Sequence, residues 1–173
     1  MKLLFISLGC DKNLVDSEEM LGMLAADGHE IVDDEDEAEV IIVNTCCFIG
    51  DAKEESVNTI LEMAEKKKAG TCKVLIVTGC MAQRYKKEIS EEIPEVDAIL
   101  GTTSYGDISK AVKEAQAGRH FEEYKSIDFL PDISGKRMLT TGGHFAYLKI
   151  AEGCDKHCTY CIIPRLRGGY RSV

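Results

Sequence analysis

Short apolar runs alternate with longer stretches of helical spacing along residues 1–117. Lys2 to Leu8 is one such run and predicts a buried strand. The helical pattern after it places Leu14, Leu21, Leu24 and Ala25 on one face and ends near Asp27-Gly28. His29 to Val32 predicts a short strand, and Asp33 to Glu39 an acidic, solvated connector. Val40-Ile41-Ile42-Val43 is β-branched throughout and reads as a strand. Asp51 to Lys68 predicts a helix with Val57, Ile60, Leu61 and Ala64 inward. Val74 to Val77 predicts another strand, and a helix from about Gln83 should stop before Pro94. Ala98 to Leu100 predicts a short strand. Ser104 to Ala117 predicts a helix with Ile108, Val112 and Ala115 inward, closed by Gly118.

Strands that alternate with helices and are apolar on both faces imply an α/β fold, a parallel sheet flanked by helices, over residues 1–118. The order of the strands is not legible from the pattern. Residues 119–144 are polar and carry Pro131, Gly135, Gly142 and Gly143, so they read as a linker. Phe145 to Ala151 begins a new apolar run, expected as the first strand of a second unit, residues 145–173, which the chain cuts short.

Composition adds limits to this picture. The hydrophobic share of 45% is enough for an ordinary core. The net charge of −9 argues against a chain that wraps nucleic acid by itself, because phosphate binding needs a basic face. Met1 to Cys10 superficially resembles a lipoprotein signal. Its apolar run, Leu3 to Leu8, is shorter than the roughly 7–15 residues of a signal peptide's apolar core. No later stretch approaches the ~20 apolar residues of a membrane span. The expected location is the reducing cytoplasm, where the 8 cysteines favour metal-binding thiolates over disulfides.

Three of these cysteines stand at predicted strand ends: Cys10 after the first strand, Cys46 after the third and Cys80 after the fourth. In an open parallel sheet the carboxyl ends of the strands form the ligand-binding edge, so these thiols should meet in space. Gly9 and Gly79 precede two of them, and glycine lets backbone approach a bulky cofactor. Three thiolates suit an iron–sulfur cluster better than structural zinc, which takes four ligands. The competing reading is three thiols that merely pack. Cys47 is expected to point elsewhere, and Cys72, at the opposite edge, to be structural.

Cys154, Cys158 and Cys161 lie in a C-x3-C-x2-C loop directly after the run Phe145 to Ala151. Three cysteines within eight residues can wrap one cubane cluster and leave an iron free for the amino and carboxylate groups of a small molecule. The spacing differs from the C-x2-C-x2-C run of bacterial ferredoxins. It also lacks a second C-x2-C pair for zinc. His157 is expected to face solvent.

The loop resembles the signature of radical S-adenosylmethionine enzymes, including the aromatic Tyr160 before the last cysteine. The segments from Ser7 to Glu18, Asn44 to Ile49 and Ala146 to Cys154 resemble the methylthiotransferases of that superfamily. Asp11-Lys12-Asn13 is closer to the branch that modifies an aspartate of small-subunit ribosomal protein twelve than to the tRNA-modifying branch. The resemblance implies two [4Fe-4S] clusters, an auxiliary one on Cys10, Cys46 and Cys80 and a radical one on Cys154, Cys158 and Cys161 that binds S-adenosyl-L-methionine. It makes Tyr160 a candidate cofactor neighbour. It also implies cleavage of S-adenosylmethionine to a 5′-deoxyadenosyl radical, and as partners a ribosomal protein substrate and a reductant protein. The family continues into a barrel and a small β domain that this chain lacks, so the chain alone is expected to be inactive.

No acid, base or nucleophile stands out. Asp11, Glu152 and Asp155 read as surface carboxylates, and His144 has no role. Gly142-Gly143 lacks the Lys-Ser/Thr helix start of a phosphate cradle. Arg165, Arg167 and Arg171 form a basic tail that either meets an anionic group or is solvated. The rival functions are methylthiolation of tRNA adenosine, an electron-transfer or zinc-stabilised binding module, and an α/β domain with incidental thiols.

Overall fold

The apolar runs become the centre of a parallel sheet. The computed structural model describes residues 1–132, 135 and 137–173. Its strands are β1 (Lys2–Ser7), β2 (Glu30–Ile31), β3 (Val40–Thr45), β4 (Val74–Gly79), β5 (Ala98–Leu100) and β6 (Phe121–Glu123). They pair in the order β2-β1-β3-β4-β5-β6, every pair parallel.

Side chains alternate along each strand, so the sheet feeds two cores. Ile41, Val43, Leu75 and Val77 meet α2 (Gly50–Lys68) and α3 (Cys80–Arg84) on one face. Val40, Ile42, Val74 and Ile76 meet α1 (Asp11–Ala26) and α5 (Ile108–Gln116) on the other. Burial on both faces explains why these strands read as unbroken apolar runs. The order in which strands are added reverses between β1 and β3: the chain runs from β1 out to β2, then back past β1 to β3. In a doubly wound sheet, the crevice at the carboxyl ends on either side of that reversal receives the ligand.

Several expectations need correction. The helix expected from Gln83 is two helices, α3 and α4 (Lys86–Glu92), broken at Tyr85. The helix expected from Ser104 opens with a 3-10 turn, Tyr105–Asp107. On α2 the buried positions are Ser56, Ile60, Met63 and Ala64, while Leu61 is exposed. The polar stretch 119–144 begins as β6, which pairs with β5; residues 133, 134 and 136 of it lie outside the described residues.

The run Phe145 to Ala151 is not a strand over its length. Only Ala151–Glu152 (β7) pairs, antiparallel to Arg171–Ser172 (β8). Leu148 is 83% exposed, so this run lacks the neighbours that would bury it. After the cysteine loop a short helix, α6 (Ile163–Arg167), packs on α3. No helix among the described residues is long and apolar enough to cross a membrane.

Candidate functional site

The strand-end cysteines converge. Cys10 caps the start of α1, Cys46 follows β3, and Cys80 opens α3 directly after β4. Pairing of Ser7 with Asn44 and of Thr45 with Gly79 sets the three strand ends level. All three cysteines line one cavity of about 400 Å³ at the carboxyl edge, beside the β1/β3 reversal. Phe48 and Ile49 form part of its wall, and Leu166 and Arg167 of α6 form another.

The backbone there has no room for larger residues. Gly9 has φ +92, and a Cβ on it would lie 2.6 Å from the Cys46 Cβ. Gly79 has φ +94, and a Cβ on it would lie 2.5 Å from the Thr45 carbonyl oxygen. Both backbones take a left-handed conformation that glycine adopts at least cost. Ser56 Oγ accepts from the Cys46 amide at 3.0 Å and donates to the Cys46 carbonyl at 2.8 Å, pinning that residue from α2.

Asn13 is the hub beneath the cavity. Its Nδ2 donates to the Leu8 and Thr45 carbonyls, each at 2.9 Å, tying the ends of β1 and β3 together. Its Oδ1 accepts from the Cys80 thiol at 3.8 Å and from Arg167 Nη2 at 2.5 Å. Arg167 also donates to Asp16 Oδ2 and Glu152 Oε2, each at 2.9 Å. Lys149 completes the network, pairing with Asp16 and, at 3.1 Å, with Glu152. Burial pushes the Cys80 thiol up to about 12, against the pull of the Arg167 charge. Burial also opposes ionisation of Glu152, but Arg167, Lys149 and Lys12 together bring it down to about 2.

Glu152 is therefore buried, not a surface carboxylate, and of the two readings open for Arg167 the anionic partner is the one found, since it is buried and paired with Asp16 and Glu152. Asp11, Asp155 and Arg165 are exposed. Asn13, Asp16 and Ser17 are not found by apolar spacing, which puts only apolar residues on the inner face of α1. The signal was present: 13, 16, 17, 20, 21 and 24 form one helical stripe, polar at its first three positions.

The second cysteine set is more open. Cys158 is exposed, and Cys154 and Cys161 are half-buried. Cys158, Cys161 and the exposed Tyr160 line a recess of about 620 Å³ with Phe48, Arg84 and Arg165; Cys154 does not line it. The Cys154 amide donates to the Gly168 carbonyl at 3.1 Å, and its sulfur accepts from the Lys156 amide at 3.4 Å. Cys47 and Cys72 are buried in the core. His157 and His144 are exposed.

Among the described residues, no three or more His, Cys, Asp or Glu side chains form a group that could hold a metal ion. A cubane cluster spreads its thiolates wider than one ion does, so its fit rests on the space and the donors. At the strand ends both suit it: three thiols face one cavity, two glycines give clearance, and Arg167 supplies positive charge for thiolates.

Comparison with known proteins gives a consistent picture. A family described as "Uncharacterized protein family UPF0004" matches residues 2–101. A protein of Lachnoclostridium phytofermentans called "Ribosomal protein uS12 methylthiotransferase RimO" is 64% identical over 173 residues, 100% of this chain and 39% of its own length. Proteins of the same name from Clostridioides difficile and Trichlorobacter lovleyi are 52% and 51% identical over 99% of this chain. The chain thus spans about two-fifths of the length of these curated relatives.

Proposed function

The chain belongs to the UPF0004 family, and from that premise we propose that it works within a radical S-adenosylmethionine methylthiotransferase that modifies an aspartate of ribosomal protein uS12. Supporting the reading are the names of its relatives and, within the molecule, the meeting of Cys10, Cys46 and Cys80 on one cavity at the switch point of the sheet. That meeting is the observation that carries it. Incidental thiols have no reason to gather on a ligand-binding edge beside two glycines held at positive φ.

In this reading Cys10, Cys46 and Cys80 hold an auxiliary [4Fe-4S] cluster, and Cys154, Cys158 and Cys161 hold a second one that S-adenosylmethionine chelates. When bound, the clusters supply the electron for cleaving S-adenosylmethionine and a site for the sulfur to be transferred. The chain's own residues do the positioning. Asn13 fixes the ends of β1 and β3, and Ser56 fixes Cys46. α6 follows the second cysteine loop directly and forms a wall of the first cavity. Phe48 lines both spaces and gives each an apolar surface. The auxiliary-cluster unit expected over 1–118 takes in β6 as well, and 145–173 as the start of the radical unit belongs to the same proposal, as do a cytoplasmic location and a separate reductant protein.

The test is product analysis. Full-length protein, reconstituted anaerobically with iron and sulfide, is given S-adenosylmethionine, reductant and either uS12 or tRNA. Mass spectrometry should find a methylthio group on an aspartate of uS12. A methylthio group on tRNA alone would assign the other branch, and none on either would remove the activity.

A further inference from the structure

Four buried charges form one network behind the auxiliary cavity, and Arg167 is the member that lines it. Arg167 is 2% exposed, and Asp16, Glu152 and Lys149 have side chains 5% exposed. Two cations face two carboxylates, so the group is neutral overall. Such a group is weak evidence for a stability role, because apolar residues of like volume often fill the space as well or better. Its placement is more informative. It joins α1, which starts at Cys10, to Glu152, two residues before Cys154, and to Arg167, at the end of α6.

Arg167 is the member that faces the sulfur. It lines the cavity of Cys10, Cys46 and Cys80, and it shares Asn13 Oδ1 with the Cys80 thiol. When Cys80 gives up its proton to become a metal ligand, its donor to Asn13 is lost. A guanidinium N–H already beside that oxygen can then donate to the thiolate. Lys12, the other cation on the cavity, is half-exposed and bonds the Ala151 carbonyl at 3.0 Å, so it is less able to act on sulfur. Hydrogen bonds and charge at ligand sulfurs are among the means by which a protein sets a cluster's potential.

We propose that Arg167 is a positioning residue for the auxiliary cluster: it holds the Cys80 thiolate, favours the more negative reduced state, and through Glu152 ties the second cysteine loop to the first site. This inference rests on the reading of Cys10, Cys46 and Cys80 as cluster ligands. Removing Arg167 alone would strand buried carboxylates, so the informative variants remove neutral pairs.

The test uses full-length protein carrying Cys154→Ala, Cys158→Ala and Cys161→Ala, so that only the auxiliary site binds iron. Iron, sulfide and the midpoint potential, followed by electron paramagnetic resonance, are measured in this background. They are measured again with Arg167→Gln/Glu152→Gln and with Asp16→Asn/Lys149→Gln added. Removing the Arg167 pair should make reduction about tenfold less favourable, about 59 mV lower for one electron, with iron content retained. Removing the other pair should leave the potential in place. Loss of iron from the Arg167 variant alone, with an unchanged melting curve, also supports the proposal. An unchanged potential in the Arg167 variant, or equal effects in both variants, overturns it and leaves the cluster reading standing. A background protein that binds no iron overturns the cluster reading and the proposal together.

Discussion

Gly9 leaves the space that Cys46 occupies: a Cβ on Gly9 would lie 2.6 Å from the Cys46 Cβ and 2.8 Å from its sulfur. Two loops from neighbouring strands touch here, at the reversal of strand order. Gly9→Ala should therefore cost more than backbone strain of about 1–3 kcal/mol, because it also displaces a proposed ligand. Gly28 is the control, with φ +86 and nothing within 4 Å of an added Cβ. Denaturant melts should destabilise both variants, Gly9→Ala by more. Iron retention after reconstitution should fall in Gly9→Ala and hold in Gly28→Ala.

Asn13→Ala should destabilise the domain by about 3 kcal/mol or more. The Leu8 and Thr45 carbonyls and an Arg167 N–H lose their partner at once, and each buried unsatisfied group costs about 1–3 kcal/mol. Urea unfolding followed by circular dichroism reads the loss. A change within 0.5 kcal/mol of wild type would mean that the hub does not hold the strand ends together.

Lys149→Met leaves the carboxylates of Asp16 and Glu152 with one cation fewer in a buried setting. Breaking a buried pair from one side costs about 3–5 kcal/mol. Restoring neutrality with Asp16→Asn should recover part of that loss, and a double-mutant cycle measures the coupling. Additive losses would contradict the pairing.

His29 gives the fold a pH dependence. Burial, with help from the chain's amino terminus, lowers its pKa from the usual 6.5, while Asp27 opposes the shift. A depressed imidazole binds protons more readily when unfolded. Its contribution is therefore present above the unfolded value and is lost as pH falls through the folded one. The urea midpoint should drop on going from about pH 7.5 to about pH 5.5, and His29→Gln should flatten the drop.

The sheet and its thiol edge were legible because both depend on local pattern. β3 and β4 are apolar on both faces, and a cysteine at a strand end is visible in the chain. That an arginine of the tail could meet an anionic group was legible, but which arginine and which partners were not, because Arg165 and Arg167 look alike in Arg165-Leu166-Arg167. The burial of Arg167 depends on Asp16 and Glu152, 151 and 15 residues away. The run Phe145 to Ala151 failed for a related reason. Apolar content suggests a strand, but a strand forms only where a neighbouring strand pairs with it, and here β8 reaches only the end of the run, at Ile150 to Glu152.

The central claim is that two separate cysteine sets hold two clusters. Its most direct test is to count iron and labile sulfide in full-length protein reconstituted anaerobically. The wild type is compared with a Cys10/Cys46/Cys80→Ala variant and a Cys154/Cys158/Cys161→Ala variant. Each variant should lose about half of the iron, as equal clusters on separate thiolate sets require. If the Cys10/Cys46/Cys80→Ala variant keeps all of its iron, the thiols at the strand ends are packing residues and the account of the cavity is wrong.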